Sequence, residues 1–263
     1  MKLEEIISAI EKWCPLDLQE SWDNSGFQIK LGNPEIRAVL VSMEVTDQVI
    51  SEAAASGAGL IICHHPLLFS PLKAIDSKSV TGNYICRLIE EQISVYASHT
   101  PFDKCAGGNN DDLAQRLHLR ETALLPGDAT GICRMGMVNE DYTLERYARQ
   151  VADWLSQDVR QYRFTGDPTD KVERVALCTG SGSEFMEAAF EAGCDLLITG
   201  DVKYHTAQLA KEMGMNLLDI GHYGSEIIFS ENMTSWLRDH TSLQIIKSKV
   251  SLNPFTVADC GPF

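Results

Sequence analysis

Short apolar runs alternate with amphipathic helical segments along this chain, and this alternation restricts the folds that the chain can adopt. The run Leu60–Cys63 is apolar throughout and follows two nearby glycines, which predicts a buried strand of a parallel sheet. Further strands are predicted at residues 36–43 and 94–98, and helices at residues 3–13, 47–55 and 82–92. This strand–helix–strand order predicts an α/β fold with parallel strands.

The second half of the chain has a pattern similar to that of the first. When residues 36–39 are placed over residues 172–175, no gap is needed over roughly thirty positions, although identities are few. Any two βαβ units with a glycine before the second strand share part of this pattern. We interpret the similarity as an internal duplication with two α/β lobes, at residues 1–123 and 124–263 with approximate boundaries. The second lobe also includes a predicted strand at 131–138, a helix at 144–155, and a last strand with a short extension from 244 to 263.

Two adjacent histidines, His64 and His65, directly follow the predicted strand Leu60–Cys63. In open α/β sheets, ligands bind at the carboxyl ends of the strands. Imidazole is the commonest metal ligand in proteins, and Pro66 fixes the backbone immediately after the pair. The pair therefore indicates a metal site, while a hydrogen-bonded loop without metal is the competing interpretation of the dipeptide alone.

A second histidine, His222, is followed four residues later by Glu226. Residues 226–237 have helical periodicity, and side chains four apart on a helix share a face. An imidazole and a carboxylate on one face can bind one metal ion or two neighbouring ions. The alternative is an ordinary helix start with a favourably placed acid.

His99 and Asp103 have the same spacing in the first half of the chain. Pro101 lies between them and disfavours helical backbone at Thr100, so we expect the two side chains to point in different directions. Asp103 is then the better candidate for a metal ligand, because a carboxylate can bridge two ions. We expect His99 to support the site or to carry protons.

The predicted ligands exceed what one catalytic ion requires. A catalytic zinc takes three protein ligands and keeps one open position. Adjacent histidines on extended backbone point in different directions, which suits two ions, roughly 3.5–4 Å apart with a bridging carboxylate and water. Mixed nitrogen and oxygen ligands permit zinc, iron, manganese or nickel. The predicted metal ligands are His64, His65, Asp103, His222 and Glu226.

A polar segment follows the strand that corresponds to Leu60–Cys63 in the second half. Asp201, Lys203 and His205 lie in it, so they are candidates for binding substrate or supporting the metal ligands. An ordinary polar loop is an equally good interpretation. Because both halves have polar clusters at strand ends, we expect one shared cleft between the lobes.

Composition excludes several classes of function. The net charge of −15 repels phosphate backbones, so nucleic acid is not an expected partner. No apolar stretch approaches the roughly 18 residues of a membrane span, and the acidic amino terminus does not resemble a signal peptide. The eight cysteines are scattered without C-x-x-C spacing, which favours reduced thiols in a cytoplasmic protein over a disulfide framework.

Six segments, in order along nearly the whole chain, resemble the GTP cyclohydrolase 1 type 2 homologs, also called the Nif-three-like family. They are SWDNSGFQ at 21–28, HHP at 64–66, HTPFD at 99–103, GGNND at 107–111, TGD at 199–201 and GHYGSE at 221–226. The family usually has valine where Ser25 and Asn109 stand, and often leucine at Phe27; these differences leave the candidate ligands intact. Longer members carry an inserted middle domain, which we expect this chain to lack.

The resemblance implies two similar, interlinked α/β lobes with a dinuclear metal centre between them. It implies the same five ligands as above, and a ring-shaped homohexamer in the cytoplasm. It also implies hydrolytic opening of the guanine imidazole ring of GTP with loss of formate. In that reaction His99 would carry protons, while Lys203 or His205 would hold phosphate.

The sequence leaves the activity open. It contains no P-loop and no glycine-rich phosphate cradle. We therefore predict a metal-dependent hydrolase of a small molecule, with a nucleotide such as GTP as one candidate. The alternatives are a two-metal phosphoesterase or amidohydrolase, and a non-catalytic metal-binding scaffold or metal chaperone.

Overall fold

Two β-sheets with flanking helices make up the computed structural model, which describes residues 1–257. The predicted α/β class is confirmed. By the density of contacts the chain divides into a first unit, Met1–Gly108 with Ile227–Leu252, and a second unit, Asn109–Glu226 with the segment from Asn253 onward. The proposed lobes 1–123 and 124–263 refer to the duplication and stay a prediction. The last six residues of the predicted carboxyl-terminal extension lie outside the described part.

The first unit is built on a five-stranded sheet in the order β1-β4-β3-β2-β11, in which β1 alone is antiparallel to its neighbour. Its strands are β1 Gly26–Ile29, β2 Ala38–Ser42, β3 Leu60–Cys63, β4 Ser94–Ala97 and β11 Gln244–Lys247. Its helices are α1 Leu3–Trp13, α2 Asp47–Ala55, α3 Val80–Glu90, α4 Thr100–Lys104 and α10 Ile228–His240.

Helices cover both faces of this sheet. Successive side chains of a strand point to opposite faces, so each strand contributes apolar side chains to both faces. In β2, Val39 and Val41 pack in a cluster with residues of α1 and α10, whereas Leu40 packs in a second cluster with residues of α2 and α3. The three central strands are therefore buried on both sides, and all their residues except Ser42 and Ser94 are apolar. Polar side chains can therefore emerge at the ends of these strands.

The second unit has a six-stranded sheet in the order β5-β6-β8-β9-β10-β7. Its strands are β5 Arg120–Leu124, β6 Arg134–Thr143, β7 Arg163–Thr165, β8 Lys171–Leu177, β9 Leu196–Thr199 and β10 Asn216–Asp219. Its helices are α5 Asn109–Arg116, α6 Leu144–Trp154, α7 Met186–Glu191, α8 Tyr204–Met213 and α9 His222–Glu226.

Both sheets contain the same arrangement of four strands. β2, β3 and β4 are parallel, and the antiparallel strand β1 lies beside β4. In the second sheet β8, β9 and β10 are parallel, and the antiparallel strand β7 lies beside β10. This shared arrangement supports the proposed internal duplication.

The helix α4 corrects one expectation about the first unit. Pro101 was expected to keep Thr100 out of a helix, yet both residues belong to α4 and Pro101 occupies its first turn. A proline is tolerated there because the first backbone N–H groups of a helix have no carbonyl partner within it. The backbone N–H of Asp103 donates to the His99 carbonyl at 3.1 Å, which closes this turn.

The expectation that all the thiols are reduced is also wrong for one pair. Cys14 follows α1, Cys105 follows α4, and the two form a disulfide with a Cα–Cα distance of 5.3 Å. The two cysteines are 91 positions apart in the chain, so the sequence pattern did not reveal that they lie close together. The other cysteines among residues 1–257 are free thiols, and most of them are buried. In the same range, no helix combines the length and apolarity that a membrane span needs.

Candidate metal centre

His64 and His65 emerge where β3 ends, and the residue that follows the neighbouring strand β2 holds their backbone. Both of their backbone N–H groups donate to the Met43 carbonyl, at 3.2 and 3.0 Å. His64 is fully buried, whereas His65 is partly exposed. Their ring centroids are 4.9 Å apart with planes inclined by 44°, so the two imidazoles point in different directions.

An oxygen atom fixes the orientation of each imidazole in this pair. The Nδ1 of His64 lies 3.0 Å from the Ser98 carbonyl oxygen, and the Nδ1 of His65 lies 2.6 Å from Oε1 of Glu44. Carbonyl and carboxylate oxygens can only accept, so each Nδ1 carries the proton. In the neutral rings, the lone pair therefore lies on Nε2. Metal-bound histidines in proteins are commonly held by such hydrogen bonds.

Asp103 lies on α4 beside His64. Its carboxylate is buried, and Oδ1 is 3.6 Å from Nε2 of His64. Two electron-rich atoms thus face each other inside the first unit when His64 is neutral. His99, at the amino terminus of α4, contributes a third ring, and one ring nitrogen each of His64, His65 and His99 lie within 4.8 Å of one another. Such a group can bind a metal ion.

The ring of His99 contacts Asp23, whereas the carboxylate of Asp103 lies beside His64. The two side chains thus have different surroundings, as expected if they point in different directions. The Nδ1 of His99 lies 2.8 Å from Oδ1 of Asp23. The other oxygen of Asp23 accepts from the Ser25 hydroxyl at 2.7 Å and from the Thr100 hydroxyl at 2.6 Å. Burial raises the pKa of Asp23, but the hydrogen bonds and the charge of His99 outweigh it and hold the pKa well below its usual value.

The second unit holds a histidine and a carboxylate on the short helix α9. The Nδ1 of His222 lies 2.7 Å from Oδ2 of Asp201, so this ring also carries its proton on Nδ1. Its Nε2 lies 2.9 Å from Oε2 of Glu226, which is buried. The predicted pairing of residues four apart is thus observed. Asp201 has a φ of 53°, a left-handed conformation that aspartate tolerates better than most residues.

Glycine makes room for Glu226. A Cβ atom at Gly180 would overlap Oε1 of Glu226, and one at Gly200 would overlap the backbone N of His222. The Gly180 N–H also donates to the Ser225 hydroxyl at 2.8 Å. The loops after β8 and β9 therefore approach α9 more closely than any larger residue would allow.

Lys203 and His205 belong to the polar segment that follows β9 and leads into α8. Both are exposed at the start of α8, and His205 packs its ring against Tyr204 at 5.3 Å. Their binding of substrate stays a prediction. Asp201, in contrast, has a defined contact with His222.

Glu44, Asp23 and Ser98 are contacts of the histidines that the sequence did not reveal. Glu44 and Ser98 follow β2 and β4, the two neighbours of β3 in the sheet. The prediction of parallel strands offered a signal, because residues that follow adjacent parallel strands meet at one edge of the sheet. Asp23 lies in the SWDNSGFQ segment, where no spacing connected it to His99.

Comparisons with known proteins agree with this architecture. A family model described as Duf34/NIF3 (NGG1p interacting factor 3) matches residues 1–254. A GTP cyclohydrolase 1 type 2 homolog of Clostridium perfringens is 35% identical, over 97% of this chain and 99% of that protein. A Helicobacter pylori protein named GTP cyclohydrolase 1 type 2 is 34% identical, over 85% and 86%. The crystal structure of a Bacillus cereus protein related to NIF3 matches with a TM-score of 0.90 and 25% identity, over 98% and 99%.

The close approach of Gly180 to Glu226 can be tested by Gly180→Ala. Gly214→Ala is the matched control, because Gly214 also has a positive φ but open space around a new Cβ. Both variants should lose about 1–2 kcal/mol of unfolding free energy from left-handed backbone. Gly180→Ala alone should also weaken metal binding by about 10-fold or more, because Glu226 must move. Urea unfolding and zinc titration measure both effects; equal zinc affinities of the two variants would contradict this reading.

The Asp23 network predicts a pH dependence of stability. The pKa of Asp23 is lowered on folding, so its contribution is present above the unfolded value of about 3.9 and is lost as the pH falls through the folded value. Asp23→Asn should therefore cost on the order of 1–3 kcal/mol at pH 7, and clearly less at pH 3. Urea unfolding at both pH values gives the difference, with the exposed Asp153→Asn as control. The same cost at pH 3 and pH 7 would refute it.

Proposed function

The chain belongs to the Duf34/NIF3 family, and we propose that it is a dinuclear-metal protein that hydrolyses a small molecule. One observation carries the proposal: histidines whose Nδ1 is hydrogen-bonded to an oxygen place their Nε2 atoms beside buried carboxylates. This occurs at His64 with Asp103 and at His222 with Glu226. When the imidazoles are neutral, their lone pairs and the carboxylates repel each other, and a divalent cation held by both would turn the repulsion into attraction.

The number of ions follows from the set of donors. We propose that the two donor groups serve one centre, as the family resemblance implies. A catalytic ion usually keeps three protein ligands and one open position, so five ligands would suit two ions better than one. The nitrogen and oxygen donors are compatible with zinc, iron, manganese or nickel. The proposed ligands are His64, His65, Asp103, His222 and Glu226.

The proposed reaction is a hydrolysis related to that in the name of the Helicobacter pylori relative, GTP cyclohydrolase 1 type 2. Bound metal would supply hydroxide near neutral pH by lowering the pKa of a water molecule. His99 would hold or move a proton at Nε2, since Asp23 fixes the proton on its Nδ1. Burial of Asp23 keeps this imidazole in one orientation. The resemblance further supports a homohexamer that works in the cytoplasm.

The metal centre can be tested by elemental analysis of purified protein. We expect two ions per chain in the wild type and one or none in Glu226→Ala, because this buried carboxylate belongs to the proposed ligand set. Glu187→Ala, an exposed glutamate on α7, is the matched control and should keep both ions. A wild-type protein without bound metal after exposure to Zn²⁺, Mn²⁺ and Fe²⁺ would refute the centre.

The role of His99 can be separated from metal binding. His65→Ala should lose both metal and any hydrolytic activity, whereas His99→Ala should keep its metal and lose about 10²–10⁴-fold in rate, the usual contribution of a positioned acid or base. Formate release from GTP by metal-loaded protein is the first assay. Equal rates of His99→Ala and wild type would show that the proton-carrying role is wrong. Full metal content without turnover of nucleotides, phosphodiesters or cyclic amides would support a metal-binding scaffold instead.

A further inference from the structure

A cleft of about 840 Å³ lies in the first unit next to His99. Sites for small molecules typically have volumes of 300–1,000 Å³ and mostly apolar walls. The walls of this cleft include Trp22, Asn24, Leu68 and Phe69. Neither the proposed metal ligands nor the proton-carrying role accounts for these residues.

Trp22 and Phe69 are unusual because large aromatic side chains seldom remain this accessible. Trp22 is 57% exposed and Phe69 is 52% exposed. Their ring centroids are 6.1 Å apart with planes inclined by 44°. Both rings also meet the imidazole of His99 edge to face, at 5.8 Å for Trp22 and 6.3 Å for Phe69. Three ring systems therefore converge beside a group that we assign to proton transfer.

Hydrogen bonds hold the loop that carries Phe69 in place. The Asn24 side-chain amide donates to the Leu68 carbonyl at 2.5 Å, and Oε1 of Gln28 accepts from the Leu68 N–H at 2.9 Å. Gln28 is buried and also donates to the Asn24 carbonyl at 2.7 Å. Both backbone groups of Leu68 are thus bound by one short segment, and these hydrogen bonds fix the position of the neighbouring Phe69.

The same segment places the other two rings. Trp22 belongs to it directly, and Asp23 binds His99. Residues 22–28 therefore orient Trp22, Phe69 and His99 together. Because an exposed aromatic face is stabilised by stacking on another π-system, this arrangement is suited to a flat ring and gives no advantage to an aliphatic ligand.

We propose that Trp22 and Phe69 form an aromatic clamp that binds the planar heteroaromatic ring of the substrate beside His99. This proposal rests on the proposed hydrolytic function of the adjacent centre and names the part of the substrate that sets specificity. Stacking on aromatic side chains tolerates different bases, so the clamp selects a heteroaromatic ring as a class. It holds this ring next to the imidazole that exchanges protons with it.

The test compares ligands that differ in the ring alone. Guanosine monophosphate and nicotinamide mononucleotide carry a heteroaromatic ring, and ribose 5-phosphate lacks one. Isothermal titration of metal-loaded, full-length protein should show binding of at least one nucleotide, about 10-fold or more tighter than that of ribose 5-phosphate. Trp22→Ala and Phe69→Ala should each weaken nucleotide binding by roughly 5–150-fold, the range for one base–aromatic stack, and should leave the metal content unchanged.

Phe190→Ala is the matched control, because Phe190 is a 45% exposed phenylalanine on α7 in the second unit. It should bind the nucleotides as the wild type does. Wild-type nucleotide affinity in both clamp variants would overturn the proposal, as would equal binding of the nucleotides and ribose 5-phosphate. A change of oligomeric state in the clamp variants, seen by light scattering without a change in nucleotide affinity, would assign the rings to a contact between copies and also overturn it.

The proposals of the aromatic clamp and of the metal centre can be refuted independently of each other. If the wild type binds two ions but neither nucleotide, the clamp is wrong and the centre stands. If the wild type binds no metal but binds a nucleotide in a manner that depends on Trp22 and Phe69, the clamp stands and the hydrolytic proposal is wrong.

Discussion

The parallel register of β2, β3 and β4 is the constraint on which the first donor group depends. In this register Ser42 pairs with Cys63, which in turn pairs with Ala97. The three strands therefore end in one row, and the residues that follow them meet at one edge. The Met43 carbonyl binds the backbone of the histidine pair from one side, and the Ser98 carbonyl binds the His64 ring from the other. A shift of one residue in this register would separate these partners.

Residues 22–28, which lie before and within β1, hold other parts of the first unit in position. They bind His99 through Asp23 and the loop before Phe69 through Asn24 and Gln28. A single heptapeptide thereby orients an ionisable ring and two aromatic rings from distant parts of the chain. In the sequence this segment shows only a mixture of polar and aromatic residues, and the role of each becomes visible through its contacts.

Much of the fold and part of the site followed from the sequence. The helix Asp47–Ala55 and the strand Leu60–Cys63 have the predicted bounds, because their apolar periodicity coincides with clear start and stop signals. The pairing of His222 with Glu226 followed from helical spacing alone. Local rules of this kind work where the partners are a few residues apart.

Partners that come together through the sheet escaped prediction. Glu44 lies 21 residues before His65, and Asp23 lies 76 residues before His99, so no local periodicity connects them. The Cys14–Cys105 disulfide has the same cause. The expectation about Pro101 was wrong for a different reason. The residue before a proline generally avoids helical backbone, but a helix tolerates proline in its first turn, and here the second effect outweighs the first.

The segment Ile227–Leu252 has a consequence for how the protein is made. It returns to the first unit, where β11 pairs with β2 and Phe229 packs its ring 4.9 Å from that of His64. During synthesis the ribosome produces His64 and His65 before the second unit, and it produces the strand and the ring that complete their surroundings after that unit. The second unit from Asn109 to Glu226 is synthesised in between. The histidine pair is therefore translated well before the segment that encloses it, and its final packing waits until the second unit has been synthesised.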